Sequence, residues 1–347
     1  MAGTSLKHRL WKGGTLLLLL IMSLHLTISG FMKPRHMILQ NAELSPEHEA
    51  PGRKVLFILF DALREDYIEW PGGKQPYLDP SAPYAFEGKK VSLFRRLVES
   101  EPENTFLVPL RSEMPTITVV RIKTFLSGVT GSVVDFSEAL VHGDFKEDNI
   151  LVTLLKKFKE KASTICFGED IWEKAFGPWF TKEVTLMDAN IRSLDANDNM
   201  VAENLFKELA AGSNFNFLIA HLIGMDHAGH SYDTRHPELL RKMREVESTV
   251  EKALQEIDDE TTVVVFGDHG MTEDGSHGGS SDEEMRTVLF AYQKKPFPMG
   301  RKYRQFRDQF EVMDSKMKVA DVAPIGAQLL NIPTPFSNIG NTHPIFT

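Results

Sequence analysis

Three runs of apolar residues constrain this chain more than any other feature: Val55-Leu56-Phe57-Ile58-Leu59-Phe60, Phe215-Asn216-Phe217-Leu218-Ile219-Ala220-His221-Leu222 and Thr261-Thr262-Val263-Val264-Val265-Phe266. Each has strand length and lacks the apolar–polar alternation of a half-solvated strand. Continuous runs of this kind fit strands buried on both faces, as in a parallel sheet covered by helices. Between and after them the sequence reads as helix over 149–161, 198–211, 237–256 and 319–330. In 237–256, Leu240, Met243, Val246, Val250 and Leu254 recur at spacings of three and four, one apolar stripe with charges opposite. Strands alternating with helices predict an α/β fold, a central mostly parallel sheet flanked by helices.

The N-terminus adds a second constraint. Lys7, His8, Arg9 and Lys12 precede a run from Thr15 to Phe31 that is mostly apolar. A basic flank and about 17 apolar residues fit a transmembrane signal anchor. A secretory signal peptide has the same shape, but no small-x-small cleavage site follows. The expected organisation is a short basic tail over 1–13, an anchor over 14–31, a stalk over 32–53, one folded domain over 54–340 and a tail over 341–347. The bulk of the chain is expected on the luminal side. The stretch Pro333 to Pro344 reads as the closing edge of the domain.

Composition narrows the chemistry. With 39 Lys and Arg against 48 Asp and Glu, the net charge is −9. Such an anion does not suit sequence-independent nucleic-acid binding, which needs a dense cationic surface. The single cysteine, Cys166, excludes an intrachain disulfide, a CxxC redox pair and a thiolate zinc site.

Each apolar run ends in ionisable residues. Asp61 follows the first. Asp226, His227 and His230 follow the second, in Gly224-Met225-Asp226-His227-Ala228-Gly229-His230. Asp268 and His269 follow the third, with His277 a few residues on, in Ser276-His277-Gly278-Gly279. Loops at the carboxyl ends of parallel strands converge on one crevice. Singly, these residues have ordinary explanations: Asp61 as a helix cap, Asp-His-Gly as turn chemistry. Jointly they do not, because clustered carboxylates repel and need compensating charge. Divalent cations supply it. Oxygen and nitrogen donors without sulfur fit zinc, manganese or magnesium, and the histidines tilt the choice to zinc.

Spacing sorts the ligands into two sets. Asp226 and His230 lie four apart and can aim at one ion, with His277 completing the trio. Asp268 and His269 are adjacent and can form a second trio with Asp61. His227 lies between the first pair and is expected to point away, behind the ligands. Thr118, in Pro115-Thr116-Ile117-Thr118, precedes a helical stretch. It is either an N-cap or a nucleophile, since a hydroxyl at a helix N-terminus meets N–H groups that also favour phosphate. A metal ion beside it, with Thr118 itself as a ligand, would lower its pKa.

These segments, together with Phe60-Asp61-Ala62-Leu63-Arg64, Phe167-Gly168-Glu169-Asp170-Ile171-Trp172 and Gly267-Asp268-His269-Gly270-Met271, resemble the alkaline-phosphatase superfamily. Within it they resemble the GPI ethanolamine phosphate transferases. His236-Pro237-Glu238 and Ser276-His277-Gly278-Gly279 favour the subgroup that modifies the third mannose. The resemblance runs in order from about residue 54 to 340. It implies two divalent metal ions, one on Asp61, Asp268 and His269 and the other on Asp226, His230 and His277. It places Thr118 as the covalent nucleophile, with Thr116 the competing candidate.

The reaction it implies moves phosphoethanolamine from phosphatidylethanolamine to a mannose hydroxyl of a GPI-precursor glycolipid. The implied setting is the endoplasmic reticulum membrane, with the domain luminal and a stabilising membrane-protein subunit among the partners. Two departures stand out. Members of the family continue into a multi-span membrane region where this chain stops, and they carry Pro, Gln or a similar residue where Val120 stands. The same ligands would serve a hydrolytic phosphodiesterase or phosphatase, and a truncated, inactive membrane protein is the third reading.

Overall fold

The computed structural model describes residues 2–31, 38–48, 52–73, 88–131, 145–187, 190–212 and 214–346. Its helices and strands, in chain order, are α1 (Ala2–Phe31), β1 (Lys54–Phe60), α2 (Leu93–Ser100), β2 (Thr105–Arg111), α3 (Thr118–Ser127), α4 (Ile150–Phe158), β3 (Thr164–Glu169), α5 (Asp170–Phe176) and β4 (Lys182–Leu186). There follow α6 (Ala196–Ala210), β5 (Phe217–Leu222), α7 (Gly224–Tyr232), α8 (Pro237–Glu256), β6 (Thr261–Phe266), α9 (Asp282–Met285), β7 (Arg286–Gln293), α10 (Gly300–Gln305), α11 (Arg307–Asp314) and α12 (Val322–Leu329).

The three apolar runs are β1, β5 and β6, and they sit side by side in the middle of one seven-stranded sheet ordered β2-β7-β6-β1-β5-β3-β4. β1 pairs in parallel with β5 and β6, and β3 in parallel with β5 and β4. Only β7 runs against its neighbours, β6 and β2. The α/β class and the mostly parallel sheet are therefore as expected.

Alternate side chains of each central strand feed two apolar layers. Val55, Phe57, Leu59, Phe217, Ile219, Val264 and Phe266 face one side, where α3, α4 and α12 cover them. Leu56, Ile58, Phe60, Leu218, Ala220, Val263 and Val265 face the other, under α6 and α8. Phe57 is the hub of the first layer, with its ring edge-on to Phe217, Phe266 and Phe125 at centroid distances of 4.8, 5.3 and 6.4 Å. Aromatic pairs in this geometry add to the area they bury.

α8 spans the expected residues because its start is well specified: the His236 side chain accepts from the Glu238 N–H, and Pro237 fills the first turn. Its buried stripe differs in detail. Leu239 rather than Leu240 lies in the core, and Lys242 is buried within the stripe. The Lys242 ammonium reaches Asp198 Oδ2 at 2.8 Å and Asp195 Oδ1 at 3.1 Å. Pro324 lies in the first turn of α12, where its missing N–H costs nothing.

Residues 341–347 were expected as a tail, yet His343, Ile345 and Phe346 are buried. His343 contacts Asp314 at 3.1 Å, and Phe346 packs on Phe106 and Phe297. Of the expected stalk, residues 32–37 and 49–51 lie outside the described residues, and the Ala42 N–H donates to Asp148 Oδ2 at 2.7 Å. In α1, Leu10–Gly30 is long and apolar enough to cross a membrane, beginning four residues before the expected anchor, and its side chains are exposed.

Candidate metal centre

The carboxyl ends of β1, β5 and β6 deliver the polar residues to one place. Asp61 leaves β1 with its N–H bonded to the Leu222 carbonyl at 2.9 Å. The next residue, Ala62, has φ 58°, a left-handed conformation that a side chain disfavours. That strained turn swings the chain away while the Asp61 carboxylate stays over the strand ends. Asp268 and His269 follow β6.

Asp226 and His230 sit one turn apart on α7, and that helix has its own anchor. Asp198 Oδ1 accepts from the N–H groups of Ile223 and Gly224 at 2.8 and 3.1 Å, while its Oδ2 holds Lys242. A Cβ at Gly224 would lie 2.0 Å from Lys242 Cε and 2.5 Å from the Leu194 carbonyl, so only glycine lets the helix start there.

Thr116 organises the third contributor, the glycine-rich loop. Its Oγ1 accepts from the Gly278 N–H at 2.8 Å and donates to the Gly279 carbonyl at 3.1 Å. Thr116 is fully buried in this duty, whereas half-buried Thr118 faces the cluster. Thr118 is not a cap: Ile117 occupies the N-cap position of α3 and Thr118 is its first residue. The Thr118 hydroxyl donates to Asp61 Oδ2 at 3.2 Å and lies 3.4 Å from His269 Nε2.

The imidazoles carry the decisive information. A carbonyl oxygen can only accept, so a ring nitrogen bonded to one carries the proton. His277 Nδ1 donates to the Thr116 carbonyl at 2.7 Å, and His269 Nδ1 donates to the Gly270 carbonyl at 2.8 Å. In the neutral form of His269 and His277 this leaves Nε2 without a proton. His269 Nε2 lies 3.3 Å from both Asp61 Oδ1 and Asp268 Oδ2, and His277 Nε2 lies 3.3 Å from Asp226 Oδ1. His230 Nε2 lies 3.4 Å from Asp226 Oδ2.

Lone pairs facing carboxylates at this distance repel unless a cation lies between them. Consistently, Asp61 Oδ1, Asp226 Oδ1 and Asp268 Oδ2 are buried with no hydrogen-bond donor among the described residues. The donor atoms of Asp226, His230 and His277 lie within 4.8 Å of one another, as do those of Asp61, Asp226 and His269. This donor set fits divalent cations, and backbone carbonyls fixing the outer ring nitrogen are the usual support of metal-bound histidine.

Electrostatics agree. Burial raises the Asp226 and Asp268 carboxyls well above the usual range, and the Asp61 charge raises both further. Burial would raise Asp61 as well, but the nearby imidazoles, His221 foremost, override it and hold Asp61 well below that range. Burial pushes His269 down to about 4, and it also lowers His230. Three adjacent carboxylates thus do not ionise together without added positive charge.

All seven expected residues meet at this centre. The sorting into separate trios is less clean than spacing suggested, because Asp226 lies close to both groups. His227 points away as expected, its Nδ1 3.3 Å from the Ser193 carbonyl. Sequence reasoning missed three contributors. His221, on β5, places Nε2 3.4 Å from Asp61 Oδ2. Arg121, one turn into α3, is fully buried with its Nη1 bonded to Glu113 Oε2 at 3.1 Å. Asp198 was read only as part of a helix. A polar residue inside an apolar run was the one available signal, and only for His221.

Fold and centre together define an alkaline-phosphatase-like domain. Solved structures share that fold at low identity. The C-terminal periplasmic domain of EptC from Escherichia coli, in complex with Zn, aligns with TM-score 0.53 and 11% identity over 88% of this chain and 90% of that one. Murine ectonucleotide pyrophosphatase/phosphodiesterase 5, an inactive threonine-to-alanine variant in complex with AMP, aligns with TM-score 0.55 and 12% identity over 83% and 97%.

Residues 138–284 match the type I phosphodiesterase / nucleotide pyrophosphatase family. The chain is 32% identical to the human GPI ethanolamine phosphate transferase 3 catalytic subunit over 83% of its own length and 25% of that protein. It is a homologue of the GPI ethanolamine phosphate transferases, and it spans about a quarter of the length of the human and mouse relatives.

Proposed function

We propose that this domain transfers phosphoethanolamine from phosphatidylethanolamine to a mannose hydroxyl of a GPI-anchor precursor, through a covalent intermediate on Thr118. The observation that carries the reading is the set of bare imidazole nitrogens facing donor-less carboxylate oxygens beside a hydroxyl at a helix start. The homology to GPI ethanolamine phosphate transferase 3 supplies the substrate class and favours the third mannose. Asp61, Thr118, Asp268 and His269 would hold one cation, and Asp226, His230 and His277 the other, with zinc suited to these donors. Bound there, the cations supply Lewis-acid charge that eases loss of the Thr118 proton and offsets charge on the phosphoryl oxygens.

The chain's own groups do the rest. Asp61 Oδ2 orients the Thr118 hydroxyl. α3 begins at Thr118, so N–H groups of its first turn would be available to phosphoryl oxygens gathered there. Thr118 Oγ1, its proton released to solvent, attacks phosphorus; the bond to the diacylglycerol oxygen breaks and that oxygen takes up a proton from water. In the second step an acceptor hydroxyl attacks phosphorus, the bond to Oγ1 breaks, and the acceptor proton is released. His230 and His277 lie on the more exposed side of the centre, where an acceptor would arrive. Leu10–Gly30 would hold the domain at the bilayer, in the endoplasmic reticulum with the domain in the lumen, where both lipid substrates reside. A stabilising membrane-protein subunit is a further partner in this reading.

The match to a phosphodiesterase family favours a second reading, hydrolysis with water as acceptor. Zinc-loaded full-length chain in detergent, given labelled phosphatidylethanolamine with and without a GPI acceptor, separates the two. Transfer predicts a Thr118 adduct by peptide mass spectrometry and label on the acceptor. Release of phosphoethanolamine to water at one rate regardless of acceptor would defeat the transferase reading.

A further inference from the structure

Four imidazoles touch the carboxylate cluster, and one of them differs from the rest. The His221 ring is fully buried in β5, and the Trp172 indole Nε1–H donates to its Nδ1 at 3.0 Å. An indole N–H can only donate, so His221 Nδ1 is an acceptor without a proton, and the proton of the neutral ring sits on Nε2. That nitrogen lies 3.4 Å from Asp61 Oδ2, at the long limit for a hydrogen bond, and has no hydrogen-bond partner by geometry among the described residues. His269 and His277, whose Nδ1 atoms donate to backbone carbonyls, present a bare Nε2 to the carboxylates. His221 is their mirror image, presenting an N–H.

We infer that Trp172 and His221 form a positioning relay for Asp61: the indole fixes the imidazole tautomer, and His221 holds Asp61 Oδ2 so that Oδ1 is turned to the metal. The inference rests on the metal-centre reading above. Two features of the site give the relay a purpose. Asp61 Oδ1 is the oxygen with no donor of its own, and it lies 3.3 Å from His269 Nε2. Asp61 Oδ2 accepts from Thr118 at 3.2 Å, a bond that ends once Thr118 gives up its proton. His221 is then the side chain that keeps Oδ2 turned from the metal while Thr118 is bonded to phosphorus.

The relay draws on three separate segments, with Trp172 on α5, His221 on β5 and Asp61 after β1. It also gives Gly168 a reason to be glycine. A Cβ there would come within 3.0 Å of both His221 Cβ and Trp172 Cδ1, prising apart the pair whose contact sets the tautomer.

The test is zinc affinity of the full-length chain in detergent, measured by competition with a chromogenic chelator, alongside thermal unfolding of the metal-free protein. In His221→Gln the amide nitrogen falls where Nε2 lies and can still donate to Asp61. In His221→Asn the amide falls where Nδ1 lies and cannot reach it. His221→Asn is expected to bind zinc about 10- to 100-fold more weakly than the parent, the usual effect of losing a hydrogen-bond partner of a metal ligand. His221→Gln should bind close to the parent value, with the two variants unfolding at similar temperatures when metal-free. Trp172→Phe should fall between them.

Asn binding as tightly as Gln, or Gln as weakly as Asn, would overturn the relay. A parent that takes up no zinc would instead overturn the metal reading itself. Should His221→Asn fail to fold, the comparison of Trp172→Phe with the parent still decides, because undiminished affinity there leaves the indole without the assigned role.

Discussion

Replacing Asp268 by Asn should stabilise the metal-free protein and reduce the stabilisation that zinc adds. In the metal-free protein Asp268 is completely buried, Oδ2 has no donor, and burial together with the Asp61 charge pushes its carboxyl pKa well up. Such a shift is a stability statement. A folded-state pKa above the unfolded value means the folded protein holds more protons, so stability falls as pH rises from the unfolded pKa through the folded one. Asn keeps the shape, can still accept from backbone N–H groups through its carbonyl, and carries no charge to bury.

Relief of an uncompensated buried group is worth about 1–3 kcal/mol, which for a domain of this size raises Tm by about 2–6 °C. The zinc contribution runs the other way. At a thousandfold excess of free zinc over the dissociation constant, binding stabilises by about 4 kcal/mol, and a hundredfold loss of affinity removes about 2.7 kcal/mol of that.

Differential scanning fluorimetry of parent and Asp268→Asn, in chelator and in excess zinc at pH 8, gives the four values needed. The Asn variant should melt above the parent in chelator, and in zinc that advantage should fall by about 2.7 kcal/mol, reversing for any gain smaller than that. The gain in chelator should shrink toward pH 5, as the pH approaches the ordinary carboxyl pKa of about 3.9 at which the unfolded chain also takes up the proton. His269 and His230, whose pKa values are lowered, add stability as pH rises toward their ordinary value near 6.5 and contribute no slope above it. The carboxylates therefore govern the alkaline side. A variant that melts below the parent by the same margin in both conditions would refute the charge argument.

Thr118→Ala should lower turnover by about a thousandfold or more while Thr118→Ser retains part of it, since only a hydroxyl can accept the phosphoryl group; steady-state assays with zinc content checked in parallel measure this. Gly270→Ala would set a Cβ 2.0 Å from the Glu283 carbonyl, so it should cost about 2–4 kcal/mol in denaturant unfolding and weaken zinc binding by moving the loop after His269. Phe57→Ala removes the hub of four rings and should cost about 3–5 kcal/mol without changing the number of zinc ions bound, as read by unfolding and elemental analysis.

How far the fold was legible depended on how each strand meets its neighbours. β1, β5 and β6 are buried on both faces in the centre of the sheet, so their sequences are continuous apolar runs that a reader can find. β2 carries Pro109 on an edge of the sheet, and β4, on the other edge, is short and partly exposed. Neither shows the pattern that marks a strand. β3 is broken by Gly168, which serves the contact between Trp172 and His221 rather than strand propensity. α8 was legible to the residue because capping and a first-turn proline are local signals. Lys242 within its buried stripe was not, because its partners Asp195 and Asp198 come from another helix region some forty residues earlier.

The site shows the same division at finer scale. Residue type and position after a buried strand were enough to find Asp61, Asp226, His230, Asp268, His269 and His277, because parallel topology brings such positions together whatever lies between them. Which nitrogen of a histidine faces the cluster is set by a second partner; for His277 and His221 that partner comes from distant chain, Thr116 and Trp172, whereas His269 uses its neighbour Gly270. Distance would group His221 with the others, since its Nε2 is as close to a carboxylate oxygen as that of His230, at 3.4 Å. Proton direction separates them: a ring whose outer nitrogen is bonded to a carbonyl has a lone pair to give, and a ring whose outer nitrogen is bonded to an indole has a proton to give. In the proposed centre, the hydrogen bond on the far side of the ring is what would distinguish a metal ligand from a positioning residue.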